Sequence, residues 1–169
     1  MKTRNGFVSN SSSSSFVIGL ARKPETVEEL KALMFPVGTP QGFDDPYHGD
    51  RHYLADEIAA QAFKDLAKAN AISWPKFIEF AGRLGFEGEP EWPSGCYDLP
   101  LEERTPILAA YDAAWGLASA AHVEKTYGHL KGKMKFFKLT YGDHDGPFLT
   151  FMEHGDVFRN IFRIQISNH

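Results

Sequence analysis

A run of serines, Ser11 to Ser15, stands directly before the apolar run Phe16 to Leu20, and this junction constrains the fold more than any other part of the sequence. A short β-branched and aromatic run with serines before it and Arg22-Lys23-Pro24 after it is typical of a buried strand. The serines then lead into a core strand, so we expect them to be ordered. A flexible linker, a modification site and a ligand-binding loop are the other interpretations of the run.

The serine run is a candidate ligand-binding loop because hydroxyl and backbone N–H groups can surround a phosphate. The candidate residues are Ser11, Ser12, Ser13, Ser14 and Ser15. The sequence around them lacks the G-x-x-x-x-G-K-[ST] phosphate loop, and it also lacks a G-x-S-x-G motif. Acylation through one of these serines is therefore not expected.

The composition of the chain restricts its class and its partners. The chain has 169 residues, of which 43% are apolar, and this predicts a single domain, 1–169, with a sizeable core. Its 18 Lys and Arg residues against 22 Asp and Glu residues give a formal charge of −4, so generic nucleic-acid binding is not expected. The one cysteine, Cys96, favours a reducing cytoplasm. Neither a membrane span nor a secretory signal pattern is expected.

Four helices are predicted in the middle of the chain, residues 26–127. A capping box, Thr26 to Glu29, opens the first helix, which ends at Pro36. Apolar residues at three- and four-residue intervals from Tyr53 to Asn70 predict the second helix. The third is predicted between Ser73 and Gly85, which suit its two ends.

The fourth helix is predicted to open at Thr105-Pro106, where an N-cap residue precedes a proline at the first helical position, and to continue close to Tyr127. One face of this helix is predicted to consist of Ile107, Leu108, Tyr111, Ala114, Trp115 and Ala118. The alanine-rich surface of this helix suits close packing against another element.

The last third of the chain, residues 133–169, is predicted to be a β-meander. Apolar residues from Met134 to Tyr141, from Phe148 to Met152 and from Phe162 to Ser167 predict three strands, with a bulge in the first. We therefore predict an α+β domain with a small, mainly antiparallel β-sheet. The sheet would contain the N-terminal strand and these three C-terminal strands, with about four helices covering one face.

Asp143, Asp145 and His169 are the candidate ligands for a divalent metal ion. If the strand that begins at Phe162 pairs antiparallel with the strand that begins at Phe148, its end returns to the turn that carries the two aspartates. Two carboxylates and an imidazole suit a divalent ion with open positions for water, as metal-assisted hydrolysis requires. The alternative is a plain tight turn and a frayed chain end.

Glu153 and His154 stand ahead of Gly155 at the other end of the predicted second strand. A histidine titrates near neutral pH, so the two side chains are a candidate catalytic pair for general acid and base chemistry. The alternative is a hydrogen-bonded histidine at a strand end, with Gly155 permitting a bend.

Aromatic residues occupy the two long predicted loops, at Phe43, Tyr47, Trp92 and Tyr97. Aromatic side chains are enriched in protein–protein interfaces, so these loops are a candidate partner-binding surface. Local packing is the alternative, because single exposed aromatic residues are common.

Two segments of the sequence carry a resemblance to known proteins. Near the start is the phrase GFVSNSSSSSFVI, Gly6 to Ile18, and near the end are Asp145-Gly146, Glu153-His154-Gly155, Phe158 and the tail Ile166-Ser167-Asn168-His169. In these segments the sequence resembles a group of uncharacterised bacterial and tailed-phage proteins. In that group the N-terminal phrase precedes dissimilar bodies, which implies a shared handling or assembly signal more than a shared active site.

Two hypotheses of function follow from the sequence. The first is a phage- or prophage-associated accessory protein that acts by protein–protein contacts with a virion protein, a host protein or itself, in the bacterial cytoplasm or in the virion. The second is a small metal-dependent hydrolase that acts on a phosphate-containing substrate through Asp143, Asp145 and His169. The first predicts no metal ion, and the second predicts a divalent ion at the turn.

Overall fold

The structure is a computed structural model that describes residues 13–45, 49–142 and 146–167. The chain divides into two compact units. The first comprises Met1–Ala71 and Lys135–His169, and the second comprises Ile72–Met134. The expectation of a single domain, 1–169, stays a prediction.

A four-stranded sheet and five helices give the α+β fold that the sequence predicts. The N-terminal strand β1, Ser13–Leu20, lies at the centre of the sheet. It pairs antiparallel with β5, Lys135–Gly142, on one side and with β6, Phe162–Ser167, on the other. A two-residue strand, β4, Ala71–Ile72, lies beside β5 at the edge, so the strand order is β4-β5-β1-β6.

Strand β1 is buried on both faces, which explains why its sequence is continuously apolar after the serines. Phe16 and Ile18 face the main core, and they lie opposite Leu139 and Phe137 of β5. Val17 points to the other face, where it is also fully buried. The prediction of a buried strand entered through the serine run is confirmed.

Three helices of the first unit pack on the face of the sheet that carries Phe16. They are α1, Val27–Met34, α2, Ala55–Lys68, and α5, Pro147–His154. The predicted N-cap of α1 is confirmed, because the Thr26 hydroxyl accepts a hydrogen bond from the backbone N–H of Glu29 at 3.2 Å. The core that they enclose includes Phe16, Ile18, Leu30, Met34, Ile58, Leu66, Phe137, Leu139, Phe151 and Phe158.

A short hairpin occupies part of the long predicted loop that carries Phe43. Strands β2, Gly42–Asp44, and β3, His52–Leu54, pair antiparallel as a separate two-stranded sheet. The Tyr53 ring packs 4.8 Å from the Phe151 ring, measured between centroids, and this contact attaches the hairpin to α5.

Two details of the predicted β-meander are wrong. The segment Phe148 to Met152 is part of α5, because Pro147 occupies the first helical turn and the buried residues Phe151 and Met152 follow with helical geometry. Consequently β6 pairs with β1 and not with this segment. The predicted bulge in β5 is also wrong: its register with β1 is continuous, and Phe136 is buried on the face opposite Phe137.

The second unit is built on α3, Trp74–Ala81, and the long helix α4, Leu101–Tyr127. A 3-10 turn, Gly82–Leu84, follows α3, and Gly85 then adopts a φ of 74°, as expected of a glycine after a helix. Helix α4 begins at Leu101 and not at Thr105, whose hydroxyl donates to the Leu101 carbonyl at 2.5 Å. None of the helices in the described ranges is both long and apolar enough to cross a bilayer.

Candidate functional site

Glu153, the predicted acid or base, is buried at the C-terminal end of α5, and its side chain is fully enclosed. The Ser14 hydroxyl donates a hydrogen bond of 3.0 Å to its Oε1 atom. Ser14 belongs to the serine run and is itself 2% exposed. The structure therefore joins two groups of candidate residues that lie 139 positions apart in the sequence.

The second carboxylate oxygen of Glu153 lies next to the predicted histidine. The distance from His154 Nε2 to Glu153 Oε2 is 3.7 Å, and His154 is partly exposed. Within the described residues, Oε2 makes no hydrogen bond. The pair thus has one buried member and one member at the surface, and a carboxylate without full hydrogen bonding is costly to bury.

This geometry does not support catalysis by Ser14. A serine nucleophile must reach a substrate and give its proton to a base. Ser14 is enclosed between β5 and β6, and its hydrogen bond attaches the start of β1 to α5. In the folded chain this hydrogen bond holds β1 and α5 together.

Ser13 and Ser15 are also strand residues. The hydroxyl groups of Ser15 and Thr140 lie 3.3 Å apart across β1 and β5, which is hydrogen-bond distance. Ser15 is 3% exposed. Ser11 and Ser12 lie outside the described residues. The described part of the run is therefore ordered and takes part in sheet pairing.

The predicted metal ligands Asp143, Asp145 and His169 lie outside the described residues. The pairing that suggested their proximity is wrong, because β6 pairs with β1. Within the ranges 13–45, 49–142 and 146–167, no three His, Cys, Asp or Glu side chains are grouped as metal ligands.

An open cleft of about 400 Å³ lies beside His154 in the first unit. Phe43 and Phe151 contribute its aromatic lining, and Asp44, Asp156 and Arg159 contribute charge. These charged groups already have partners: Asp44 bonds His52 Nδ1 at 2.8 Å, Asp156 forms an ion pair with Arg163, and the Arg159 guanidinium lies 5.8 Å from the Phe43 ring centroid. The cleft is therefore lined by two aspartates that contact neighbouring side chains of the same chain and by an arginine that lies over an aromatic ring.

Tyr141, on β5, has a hydroxyl that is buried without a hydrogen bond of normal geometry in the described structure. Burial raises the pKa of Tyr141, and the nearby carboxylate of Asp65 raises it further. The Asp65 carboxylate itself accepts a hydrogen bond from Gln61 Nε2 at 2.8 Å. The Tyr141 hydroxyl is therefore held neutral inside the first unit.

The second unit carries a different kind of surface. Trp92 and Tyr97, two of the predicted partner-binding residues, are 43% and 62% exposed. Their rings stack with centroids 6.0 Å apart, and Trp92 also meets the Tyr111 ring edge to face at 4.8 Å. We call Trp92, Tyr97 and Tyr111 the aromatic cluster. Phe43 belongs to the first unit, and Tyr47 lies outside the described residues.

Helix α4 exposes an apolar side over most of its length. Its exposed residues between Arg104 and Val123 are Thr105, Pro106, Ile107, Ala109, Ala110, Asp112, Ala113, Ala114, Gly116, Leu117 and Ala121. Asp112 is the one acidic or basic residue in this set. A helix face in contact with water is normally rich in charged residues, so this composition is unusual. Leu117 is 77% exposed and Ile107 is 38% exposed.

The residues of this side form a regular seam. Ile107, Ala110, Ala114, Leu117 and Ala121 recur at alternating intervals of three and four residues, which places them in one row. We call these five residues the outer face of α4. The six residues predicted to form one face differ in exposure: Ile107 and Ala114 are exposed, whereas Leu108, Tyr111, Trp115 and Ala118 are partly buried.

Sequence reasoning missed the outer face because α4 is apolar on two sides. Its hidden side packs around Ser119 and Val123, and a methyl group added at Gly82 would collide with the Ser119 side chain. The signal was present in the sequence: from Thr105 to Val123 the helix contains no Glu, Lys or Arg and a single Asp, Asp112. A helix of this length with only one buried face would carry several charged residues on its other side.

Comparison with protein-family models, with curated proteins and with solved structures gave no match.

Proposed function

We propose that this protein acts by protein–protein contacts, as a phage- or prophage-associated accessory protein in the bacterial cytoplasm or in the virion. The observation that carries the proposal is the outer face of α4. Exposed contiguous apolar surfaces on small proteins mark interaction sites, because covering them removes apolar area from water. The association with phages rests on the resemblance of the two chain ends.

The aromatic cluster extends the proposed contact surface. Tyr111 lies on α4 itself, and Trp92 and Tyr97 lie in the same unit. Tryptophan and tyrosine supply large rigid contact areas and are enriched among the residues that dominate binding energy. Arg104, whose guanidinium lies 5.9 Å from the Tyr97 ring centroid, gives this cluster a charged neighbour.

The alternative function, a small metal-dependent hydrolase, gains no support from the described residues. Its proposed ligands lie outside them, and Ser14 and Glu153 are bonded to each other in the core. The interaction proposal rests instead on residues that the structure places at the surface.

In-cell photo-cross-linking tests the proposal. A photoreactive amino acid at Ala113, beside the outer face, is expected to form a covalent adduct with a protein when the full chain is expressed in its bacterial setting. The matched probe at Lys64, an exposed position of α2, is expected to form none. Adduct masses identify the captured protein, which can be another copy of this chain or a different one. Equal yields at both positions, or no adduct at Ala113, would refute the proposal.

A further inference from the structure

We propose that the occupant of the outer face of α4 is a second copy of this chain, packed antiparallel to the first along α4. This inference deepens the proposed function and rests on it. It follows from the sizes of the residues in the seam and from the charges at its two ends.

The seam contains both the projections and the spaces that helix packing needs. Ile107 and Leu117 are large, and Ala110 and Ala114 between them are small. Two helices that pack through seam residues place each projecting side chain in a space on the facing helix. When two copies of the seam pack antiparallel, Ile107 faces Leu117 of the second copy, and Ala110 faces Ala114 of the second copy. The two backbones then approach closely at the centre.

The charges at the ends of α4 favour this antiparallel direction. Glu102 and Glu103 stand at the N-terminal end, and Lys125 stands near the C-terminal end. All three are exposed, and none has an ion-pair partner within the described part of the chain. In the antiparallel arrangement, Lys125 lies about one helical turn, roughly 5.4 Å, from the level of Glu103 of the second copy. A parallel arrangement would place Glu102 and Glu103 beside their own copies, which is repulsive.

Glu124 disfavours one alternative register. A shift of the second copy by one heptad would place Glu124 against Ile107 in the apolar seam. Glu124 is already engaged, because its carboxylate accepts a hydrogen bond from Trp74 Nε1 at 2.8 Å and forms an ion pair with Lys131 at 3.4 Å. The register that pairs Ile107 with Leu117 leaves Glu124 outside the seam.

A second copy fits better than an unrelated helix because the face is its own complement. A twofold contact uses the same patch on both partners, so each residue that needs a space must find it on an identical chain. The outer face meets this condition, because in the antiparallel arrangement its large and small residues match those of an identical face, and the opposite charges at the two ends of α4 come close together. Antiparallel α4 helices also align their dipoles favourably.

Sedimentation equilibrium of the purified full chain at micromolar concentration tests the proposal. Twice the chain mass is expected, and Leu117→Glu is expected to weaken the association at least about tenfold, since it buries a carboxylate in the seam. Leu84→Glu, an exposed leucine of the same unit outside α4, is the matched control and should leave the association unchanged. Ala110→Glu repeats the test with a smaller residue, and far-UV circular dichroism confirms that each variant is folded.

Single cysteines in a Cys96→Ala background test the direction of the helices. Ala113 lies near the twofold axis, so Ala113→Cys is expected to link two chains when a mild oxidant such as diamide is added. Ala121→Cys is expected not to link, because in the antiparallel register it faces Glu103 of the second copy. The reverse result would overturn the antiparallel arrangement. A monomeric wild-type chain that still cross-links to a different protein at Ala113 would overturn this inference and leave the proposed function standing, whereas a monomer without any adduct would overturn both.

Discussion

The two units of this protein use polar and apolar residues in opposite ways. In the first unit, polar side chains such as Ser14 and Glu153 are buried and bonded to each other, and even a strand entrance made of serines is enclosed. In the second unit, apolar side chains such as Leu117 remain at the surface along a helix with few charges. Ser14 and Glu153, which look chemical in the sequence, are therefore bonded to each other in the core, whereas Leu117, which looks like a core residue, is exposed.

A substitution in the core of the first unit should have the largest effect on stability. Phe158 is fully buried, and its ring centroid lies 5.3 Å from that of Phe16. Phe158→Ala is expected to lower the free energy of unfolding by about 3 to 5 kcal/mol, because it leaves a cavity. Urea unfolding followed by far-UV circular dichroism measures this loss. Leu101→Ala, which removes a mostly exposed side chain of the second unit, is the control, and an equal loss there would contradict the contrast between the units.

Removal of the buried hydrogen bond should have the next largest effect. Ser14→Ala leaves the enclosed carboxylate of Glu153 without its donor, so a loss of about 1 to 3 kcal/mol is expected. The exposed Ser94→Ala is the matched control, with a change within about 0.5 kcal/mol. A double-mutant cycle with Glu153→Gln measures the coupling between the two side chains. Identical stabilities of the two serine variants would show that the bond does not hold β1 to α5.

Alkaline pH should selectively destabilise the first unit through Tyr141. Because its pKa is raised in the folded state, the unfolded chain loses this proton first, so stability is complete below about pH 10 and falls as the pH rises above it. The slope from one such group is about 1.4 kcal/mol per pH unit. Tyr141→Phe is expected to remove this slope, whereas Tyr97→Phe, at an exposed position, should retain it. Urea titrations between pH 9 and about 11.5 give the slopes, and parallel curves for wild type and Tyr141→Phe would disprove the assignment.

A charge on the outer face of α4 should have the smallest effect on folding. Leu117→Glu changes a side chain that is 77% exposed, so the free energy of unfolding is expected to change by less than about 0.5 kcal/mol. All three tryptophans, Trp74, Trp92 and Trp115, belong to the second unit, so their fluorescence reports its unfolding. The measurement is made at a dilution at which the chain is monomeric, because association adds to stability. A loss above about 2 kcal/mol would show that Leu117 supports the fold.

The sequence predicted elements that carry a local signal, such as a continuous apolar run, a capping residue or helical spacing. The strand Phe16 to Leu20, the N-cap at Thr26 and the helix that ends at Tyr127 are present as expected. The prediction of a strand from Phe148 to Met152 is wrong because a short apolar run does not distinguish a strand from a helical turn.

The candidate sites were harder to predict because they depend on contacts between distant residues. The bond from Ser14 to Glu153 joins the two ends of the chain, and no local pattern indicates it. The sequence placed Ile107 and Ala114 on the same face as partly buried residues such as Trp115, since a helix that is apolar on two sides gives no single direction of burial.

Photo-cross-linking from Ala113 in the Leu117→Glu chain tests the central claim most directly. The account predicts that the adduct formed by the wild-type outer face disappears in this variant while the fluorescence-monitored stability of the second unit stays the same. Retention of the adduct in a folded Leu117→Glu chain would contradict the account, because it would show that the captured protein does not contact the apolar seam of α4.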